Sequence, residues 1–136
     1  MLKIFGANLL GTPFIHSTAK IQIPWNLTMK HRACLGECAN AYSLGKIDIQ
    51  EGATIAQEAY LCTGTHDFND PSLQLITKPI TVGKNAFIGT RAMILPGVCI
   101  GDRVIVGAMS LVSKDVPDHQ IVAGNPAQKI GERTTS

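Results

Sequence analysis

Aromatic residues are scarce in this chain. They make up 5% of its 136 residues, and charged residues make up only 16%. An aromatic content this low is unusual for the wide core of an ordinary globular domain, but it suits a narrow interior filled by Val, Ile and Ala. The formal net charge is only +2, and no basic run alternates with aromatic residues. The sequence therefore gives no indication of a nucleic acid or an anionic membrane as a partner.

Long apolar runs are also missing. No stretch approaches the roughly 18 apolar residues of a membrane-spanning helix. Residues 1–10 lack the long apolar run and the cleavage site of a signal peptide. We therefore expect a cytoplasmic protein whose first ten residues form a strand or a helical turn over the start of the fold.

Cysteine occurs four times, at scattered positions: Cys34, Cys38, Cys62 and Cys99. The first two are not separated by the two-residue gap of common zinc-binding pairs, and no second pair follows. We predict that all four are buried free thiols in a reducing compartment. We expect no metal site.

What the sequence does contain is a repeat of six residues. Residues 82–117 divide into six consecutive hexads; each begins with Val or Ile, four have Gly second, and the fifth residue is Ala, Val or Ser. An α-helix repeats its apolar residues every 3.6 positions and a strand every 2, and neither period gives six. A fixed period of six is typical of a parallel β-helix, so the sequence predicts this all-β fold.

Each place in the hexad has a physical reason. The β-branched first residue suits a pleated wall with its side chain turned inward, and the small fifth residue fits where the interior narrows. Gly suits a corner because it accepts backbone angles that other residues adopt only at a cost. A looser form of the pattern runs from Ile15 to Leu61, with Thr65 as its last fifth residue. Its slips of two residues are interpreted as bulges or longer corners.

The frame is lost in residues 67–79, which are polar and rich in turn-forming residues at their start. An insertion on one face of a solenoid is often part of a binding surface, so we predict a protruding loop there.

We expect one domain over residues 1–136. Its tail, from 118 to 136, should have a short strand at 121–123, a turn at 124–127 and a frayed end. Exposed faces and open ends favour association, and a three-sided coil suits a threefold axis, which predicts a trimer.

His66 lies where the repeat breaks into this loop. A lone histidine is usually structural, but this position favours a function, because neutral imidazole can accept a proton at physiological pH. His16, His31 and His119 have no comparable context, and we interpret them as structural or surface residues.

Several segments together carry a family resemblance: residues 62–67 (CTGTHD), 78–80 (KPI), 87–89 (FIG), 96–101 (PGVCIG), 106–110 (VGAMS) and 124–127 (GNPA). They resemble the hexapeptide-repeat acetyltransferases, and most closely the colanic-acid-biosynthesis branch related to galactoside and maltose O-acetyltransferases. Residues 23–27 (IPWNL) fit that branch too. The resemblance spans about residues 5–133. It implies a left-handed coil, a homotrimer with active sites between subunits, and acetyl-coenzyme A (acetyl-CoA) as donor. Relatives in this branch often carry more chain before the segment that begins here.

The resemblance also implies roles for single residues. His66 matches the family's catalytic histidine, which acts as a general base. Whether Asp67, Asp70 or a carbonyl orients it stays open, and Asp67 also suits a turn. The residues that match coenzyme contacts are Thr90, Ala108, Ser113, Lys114, Asn125, Pro126, Ala127, Lys129 and Arg133, and those assigned to the acceptor are Ser43, Asp67 and Asp70. Three positions depart from the family pattern: Phe87 replaces a Trp, Met109 a Gly, and Ser43 an Asn.

The leading functional hypothesis is therefore an enzyme that transfers acetyl from acetyl-CoA to a sugar hydroxyl, in polysaccharide or glycolipid assembly. The alternatives are an acetyltransferase for an antibiotic or for serine, and a non-catalytic β-helix that serves as a scaffold or regulatory subunit. A carbonic anhydrase on the same fold would need several histidines at subunit interfaces, and only His66 is well placed.

Overall fold

The computed structural model describes residues 6–134, and three parallel sheets make up most of it. Face A contains β1 (Asn8–Leu9), β4 (Leu27–Met29), β7 (Ile47–Ile49), β12 (Ile80–Val82) and β15 (Cys99–Ile100). Face B contains β2 (Phe14–Ile15), β5 (Cys34–Leu35), β8 (Thr54–Ile55), β13 (Phe87–Ile88), β16 (Ile105–Val106), β18 (Gln120–Gly124) and β19 (Ala127–Glu132). Face C contains β3 (Lys20–Ile21), β6 (Asn40–Tyr42), β9 (Tyr60–Cys62), β14 (Met93–Ile94) and β17 (Leu111–Val112).

The chain visits the faces in the order A, B, C and then returns to A one coil further on. The three corners of each coil stack into three edges, which we name AB, BC and CA after the faces that they join. The predicted parallel β-helix is thereby confirmed. Within residues 6–134 the structure contains no helix long and apolar enough to cross a membrane.

The interior is filled by the first and fifth residues of the hexads. In the hexad that begins at Ile88, both Ile88 and Ala92 are completely buried. The same holds one coil earlier for Ile55 and Ala59. Because these side chains form one continuous column from Leu27 to Val122, the apolar interior holds the coils in register.

The reason that we gave for the hexad glycines is wrong. Gly89 does not adopt a positive φ; a Cβ placed on it would lie 2.7 Å from the backbone N of Ala108 and the backbone O of Val106. This position is therefore Gly because the next coil approaches too closely for any side chain. The left-handed conformation falls on the fourth residue of the hexad instead, as at Asn85, Arg91 and Met109.

The slips of two residues are longer corners, and they all lie on the CA edge. Thr28 pairs with Asp48, twenty residues on, whereas Thr81 pairs with Cys99, eighteen residues on. In the first coil the extra residues form a short 3-10 turn, Pro24–Asn26. The CA edge is therefore wider in the early coils, which precede the insertion that interrupts the β-helix.

The predicted loop is an antiparallel hairpin on this CA edge. It is formed by β10 (Gly64–His66) and β11 (Leu75–Thr77), in which Gly64 pairs with Thr77 and His66 with Leu75. It starts earlier than residue 67, so Thr65 is a hairpin residue and not the fifth residue of a hexad. The interior column resumes at Ile80, in register with Ile47.

The predicted frayed end is wrong for residues 128–132, which belong to a strand. The turn at residues 124–127 is present, but β19 then runs antiparallel to β18 and covers the end of face B. Pairing with β18 satisfies backbone groups that a frayed end would leave open. At the other end, Asn8 and Leu9 already belong to the first coil; residues 1–5, where the rest of the N-terminal prediction falls, and residues 135–136 lie outside the described part.

The four cysteines are free, as predicted, but none is fully buried: Cys38 and Cys99 are exposed, and Cys34 and Cys62 are half-buried. Their outward and corner positions explain the difference, because the apolar column is filled by the first and fifth hexad places. Partial burial raises the pKa of the Cys34 thiol. Burial, followed by the charges of Asp115, Asp118 and Asp102, raises the pKa of the Cys99 thiol.

Candidate active site

His66 lies near the tip of the hairpin, with an exposed side chain. Its ring Nδ1 is 2.8 Å from the backbone carbonyl oxygen of Leu73. A carbonyl oxygen can only accept a hydrogen bond, so Nδ1 must carry the proton and donate it. In the neutral ring this leaves Nε2 without a proton and free to act as a base.

The carbonyl of Leu73 is set in place by an unusual backbone conformation. Leu73 has φ of +51°, a region that costs a residue with a side chain about 1–2 kcal/mol. Its N–H donates to the carbonyl of Asp70 at 2.8 Å. The group that orients the imidazole, left open by the sequence, is therefore a main-chain carbonyl held by the folded tip.

The two aspartates of the tip act as turn-formers. Asp67 Oδ1 accepts the N–H of Asn69 at 2.9 Å. Asp70 Oδ1 accepts the N–H of Ser72 at 2.9 Å, and its Oδ2 accepts the Ser72 hydroxyl at 2.7 Å. The hydrogen bonds from Ser72 lower the pKa of Asp70. Both carboxylates accept hydrogen bonds within the hairpin tip. Their predicted contact with the acceptor stays a prediction, and no distance in the structure supports it.

The base of the hairpin is fixed by the buried hydroxyl of Thr63. This Oγ1 donates to the carbonyl of Tyr42 at 2.6 Å and accepts the N–H of Gly45 at 2.8 Å. One coil lower, Asn26 Nδ2 donates to the carbonyls of Ser43 and Leu44, at 3.0 Å each. The corners of three successive coils are thereby bonded to one another, up to the residue where the hairpin begins.

The sequence assigned Ser43 to the acceptor, and the structure corrects this. Ser43 is completely buried, and its Oγ bonds both the N–H and the carbonyl of Ile23, at 3.0 Å each. A hydroxyl with both its roles filled inside a corner has nothing to offer a ligand. Ser43 is therefore a structural residue of the CA edge.

Four of the predicted coenzyme residues stack on the BC edge. Thr90 and Ala108 occupy equivalent places in consecutive coils, since Ile88 pairs with Val106 just before them. The turn at Asn125 and Pro126 follows at the same edge, one coil further on. Ala108 is an exposed residue, and within the described part of the chain its backbone N–H donates no hydrogen bond. A free amide beside a small side chain and a threonine hydroxyl suits the amide-bearing pantetheine arm of coenzyme A.

The other predicted coenzyme residues lie elsewhere. Ser113 and Lys114 are exposed on the CA edge, two coils above Cys62 and hence about 10 Å from the start of the hairpin. The ammonium of Lys129 pairs with Glu132 at 2.8 Å. Arg133 donates to the carbonyl of Asn85 at 2.8 Å, which places its side chain on the AB edge.

The remaining member of the predicted set is Ala127, at the start of β19. It is half-buried and packs against the apolar interior. Ala127 directly follows the turn on the BC edge, so its contact with the interior helps to hold that turn in place. Its predicted contact with the coenzyme stays a prediction.

A single chain does not bring all these groups together. His66 belongs to the CA edge and the column of Thr90 and Ala108 to the BC edge, with the whole of face C between them. About one hexad of chain separates the two edges, and six residues of extended chain span roughly 20 Å. Direct proton transfer needs hydrogen-bond contact, so the imidazole of one chain cannot serve a thioester held at its own BC edge.

Two of the cavities in the described structure bear on the site. The larger, of about 670 Å³, is the open end of the first coil, where Leu9, Ile15 and Ile21 are only half-buried. The smaller, of about 380 Å³, lies beneath the hairpin on the CA edge; its walls are Asn26, Leu44, Gly45, Lys46, Thr77 and Pro79. The larger cavity is several coils from His66, whereas the smaller one is lined by Thr77 of the same hairpin; we call the smaller one the recess.

Sequence reasoning missed Leu73, Thr63 and Lys46. No sequence signal marks Leu73, because its contribution is a carbonyl. The two-residue slips did mark the CA edge as irregular, and a closer look at them would have pointed to the corner that contains Lys46. Residues 6–134 contain no group of three or more His, Cys, Asp or Glu side chains that could hold a metal ion.

Comparisons with known proteins agree on one family. The model of the bacterial transferase hexapeptide (six repeats) matches residues 79–114. The Escherichia coli strain K12 protein named "Putative colanic acid biosynthesis acetyltransferase WcaF" is 39% identical over 133 residues, which is 98% of this chain and 73% of that protein.

Two solved structures share the fold. A maltose O-acetyltransferase from Clostridium difficile 630 superposes with a TM-score of 0.88 over 98% of this chain and 73% of its own, at 24% identity. A galactoside acetyltransferase in complex with coenzyme A superposes with a TM-score of 0.79 over 91% of this chain and 64% of its own, at 26% identity. The left-handed coil expected from the resemblance is confirmed.

Proposed function

Because this chain belongs to the hexapeptide-repeat acetyltransferases, we propose that it transfers acetyl from acetyl-CoA to a sugar hydroxyl, with His66 as the general base. The family makes it an acyltransferase, as the sequence predicted. The observation that supports the role of His66 is its contact with the Leu73 carbonyl, which leaves Nε2 as an exposed acceptor.

The reaction follows from that geometry. Nε2 of His66 takes the proton of the acceptor hydroxyl as its oxygen attacks the thioester carbonyl. The carbon–sulfur bond breaks, and His66 returns the proton to the departing thiolate of coenzyme A. Between these steps the ring is protonated on both nitrogens, and its Nδ1–H still donates to Leu73, so the charged ring is stabilised where it forms.

The coenzyme fits the BC edge best. The free amide of Ala108 and the hydroxyl of Thr90 would hold the pantetheine arm. Lys114 lies on the CA edge with His66, so it would approach a coenzyme phosphate from a neighbouring chain. Lys129 and Arg133 already have partners in the chain, so we give them a smaller part. Backbone N–H groups of the corner are the candidate donors to the oxyanion of the attacked carbonyl.

We infer that the complete site forms between chains of a homotrimer. If face C of each chain turns towards a threefold axis, the CA edge of one chain meets the BC edge of the next, and His66 comes beside Thr90 and Ala108. The outward residues of face C suit burial: Tyr42, Tyr60, Met93 and Leu111 are all half-buried and mostly apolar. A head-to-tail contact of this kind closes as a ring.

The expected acceptor is a sugar because the 39% identical relative is named for colanic acid biosynthesis and two structural neighbours are named for galactoside and maltose. We infer a role in polysaccharide or glycolipid assembly. A cytoplasmic location remains a prediction, and it agrees with the use of acetyl-CoA.

The test is release of free thiol from acetyl-CoA in the presence of a panel of sugars, an antibiotic alcohol and serine. His66→Ala should lower the rate by roughly 10²–10⁴. His119→Ala is the matched control, since His119 is exposed and lies outside the hairpin, and it should retain the parent rate. Equal rates for the parent and His66→Ala would contradict the proposal, and no release with any acceptor would favour the scaffold alternative.

A further inference from the structure

The recess beneath the hairpin has the size of a small-molecule binding site. Its volume of about 380 Å³ falls in the range of small-molecule sites, about 300–1,000 Å³. It exists because the early coils have longer corners on the CA edge, so the hairpin overhangs a gap. The recess is thus part of the fold and not an accident of one side-chain position.

The recess opens on the side of the hairpin that carries His66. Directly opposed residues of an antiparallel pair lie on the same face, and so do residues two apart. Gly64, His66, Leu75 and Thr77 therefore share one face of the hairpin. Thr77 lines the recess, and the pair formed by His66 and Leu75 lies two residues, or about 7 Å, further out.

Among the polar side chains that line the recess, only that of Lys46 carries a charge. Asn26 uses both amide hydrogens on main-chain carbonyls, so it offers only its oxygen, as an acceptor. Thr77 offers a hydroxyl. Lys46 is exposed and, within residues 6–134, its ammonium takes part in neither of the two ion pairs and in no side-chain hydrogen bond. The lining thus holds one unpaired cation and contains no carboxylate.

We propose that the recess binds an anionic group of the acceptor through Lys46, so that the substrate is a phosphorylated or acidic sugar and not a neutral one. A sugar ring would carry the reacting hydroxyl towards His66, while its phosphate or carboxylate meets Lys46 and its other hydroxyls meet Asn26 and Thr77. The reaction of this substrate with His66 rests on the proposed function, whereas the binding of its anionic group by Lys46 does not.

The experiment measures binding to the full chain by titration calorimetry without acetyl-CoA, with glucose 1-phosphate, glucuronic acid and methyl glucoside as probes. The parent should bind at least one anionic probe about tenfold more tightly than methyl glucoside, and added salt should reduce the difference. Lys46→Gln should remove the preference. Lys84→Gln, an exposed lysine on the AB edge, is the matched control and should keep it.

Equal affinity of the parent for all three probes, or a preference that survives in Lys46→Gln, would overturn the inference. Tighter binding of glucose 1-phosphate would assign the acceptor to phosphorylated sugars, and tighter binding of glucuronic acid would assign it to acidic sugars. Either result supports the inference. His66→Ala should bind the probes like the parent. If the Lys46-dependent preference is found but no acetyl transfer occurs, only the proposed reaction fails; if transfer occurs without any preference, only the inference fails.

Discussion

The contact between His66 and the carbonyl of Leu73 can be broken without changing the imidazole. Proline fixes φ near −65°, whereas Leu73 adopts +51°, so Leu73→Pro must turn the carbonyl away from the imidazole. It also removes the N–H that Leu73 donates to Asp70. The imidazole then loses the group that keeps its proton on Nδ1 and that stabilises its charged form.

The expected size of the effect follows from that charged form. A hydrogen bond from a charged donor contributes about 1.5–3 kcal/mol, and 1.36 kcal/mol is tenfold in rate, so kcat should fall by about 10- to 150-fold. The KM for acetyl-CoA should stay near that of the parent, because the lost hydrogen bond stabilises the charged imidazole that forms during the reaction and not the bound coenzyme. The assay is thiol release at saturating acetyl-CoA.

Leu73→Gly is the matched control. Gly adopts a positive φ freely, so the carbonyl stays in place; relief of about 1–2 kcal/mol of strain is offset by the roughly 0.5–1 kcal/mol that Gly loses in entropy on folding. Activity close to that of the parent is expected. Nitrogen NMR of His66 should report a proton on Nδ1 in the parent and in Leu73→Gly, and a mixture in Leu73→Pro.

The reasoning is refuted if Leu73→Pro keeps kcat within about twofold of the parent, or if Leu73→Gly loses as much activity as Leu73→Pro. The second result would mean that the leucine side chain matters and the carbonyl does not. Amide exchange across the hairpin shows whether β10 and β11 remain paired in both variants.

Three further predictions concern the hairpin and its surroundings. Thr63→Val should destabilise the chain by about 1–3 kcal/mol in denaturant titrations, because it leaves the N–H of Gly45 without its partner; no change would show that water replaces the hydroxyl. The folded state lowers the pKa of Asp70, so the charged carboxylate stabilises the tip above the pH at which an unfolded Asp titrates, and this is lost as the pH falls through the lower folded value. Asp70→Ala should therefore loosen the tip at neutral pH and remove this acid transition in hydrogen exchange; an unchanged transition would assign it to another group. Met109→Gly should lower the KM for acetyl-CoA, because Met109 is exposed at the BC edge with φ of +61° and Gly fits both the conformation and the space; an unchanged KM would place the coenzyme away from this corner.

The hexad frame predicted the interior residue by residue from Val82 onwards, because one period relates backbone position to side-chain direction. The same frame located the break at His66, which the structure places on the hairpin. It could not locate the Leu73 carbonyl or explain the corner glycines, because both depend on how close one part of the backbone comes to another. Ser43 was misassigned for the same reason, since its neighbour Ile23 is a full coil away in the chain.

By itself, then, the sequence determined the coil, its apolar interior and the histidine at its interruption, since these follow from the repetition of residue types along the chain. Only the tertiary structure decided that the early corners widen the CA edge into a recess, that His66 has its Nε2 free, and that Thr90 and Ala108, predicted to bind the coenzyme, lie across face C from it. Those features depend on contacts between residues up to a whole coil or more apart, and such contacts are fixed by the stacking of coils and leave no local pattern in the order of the amino acids.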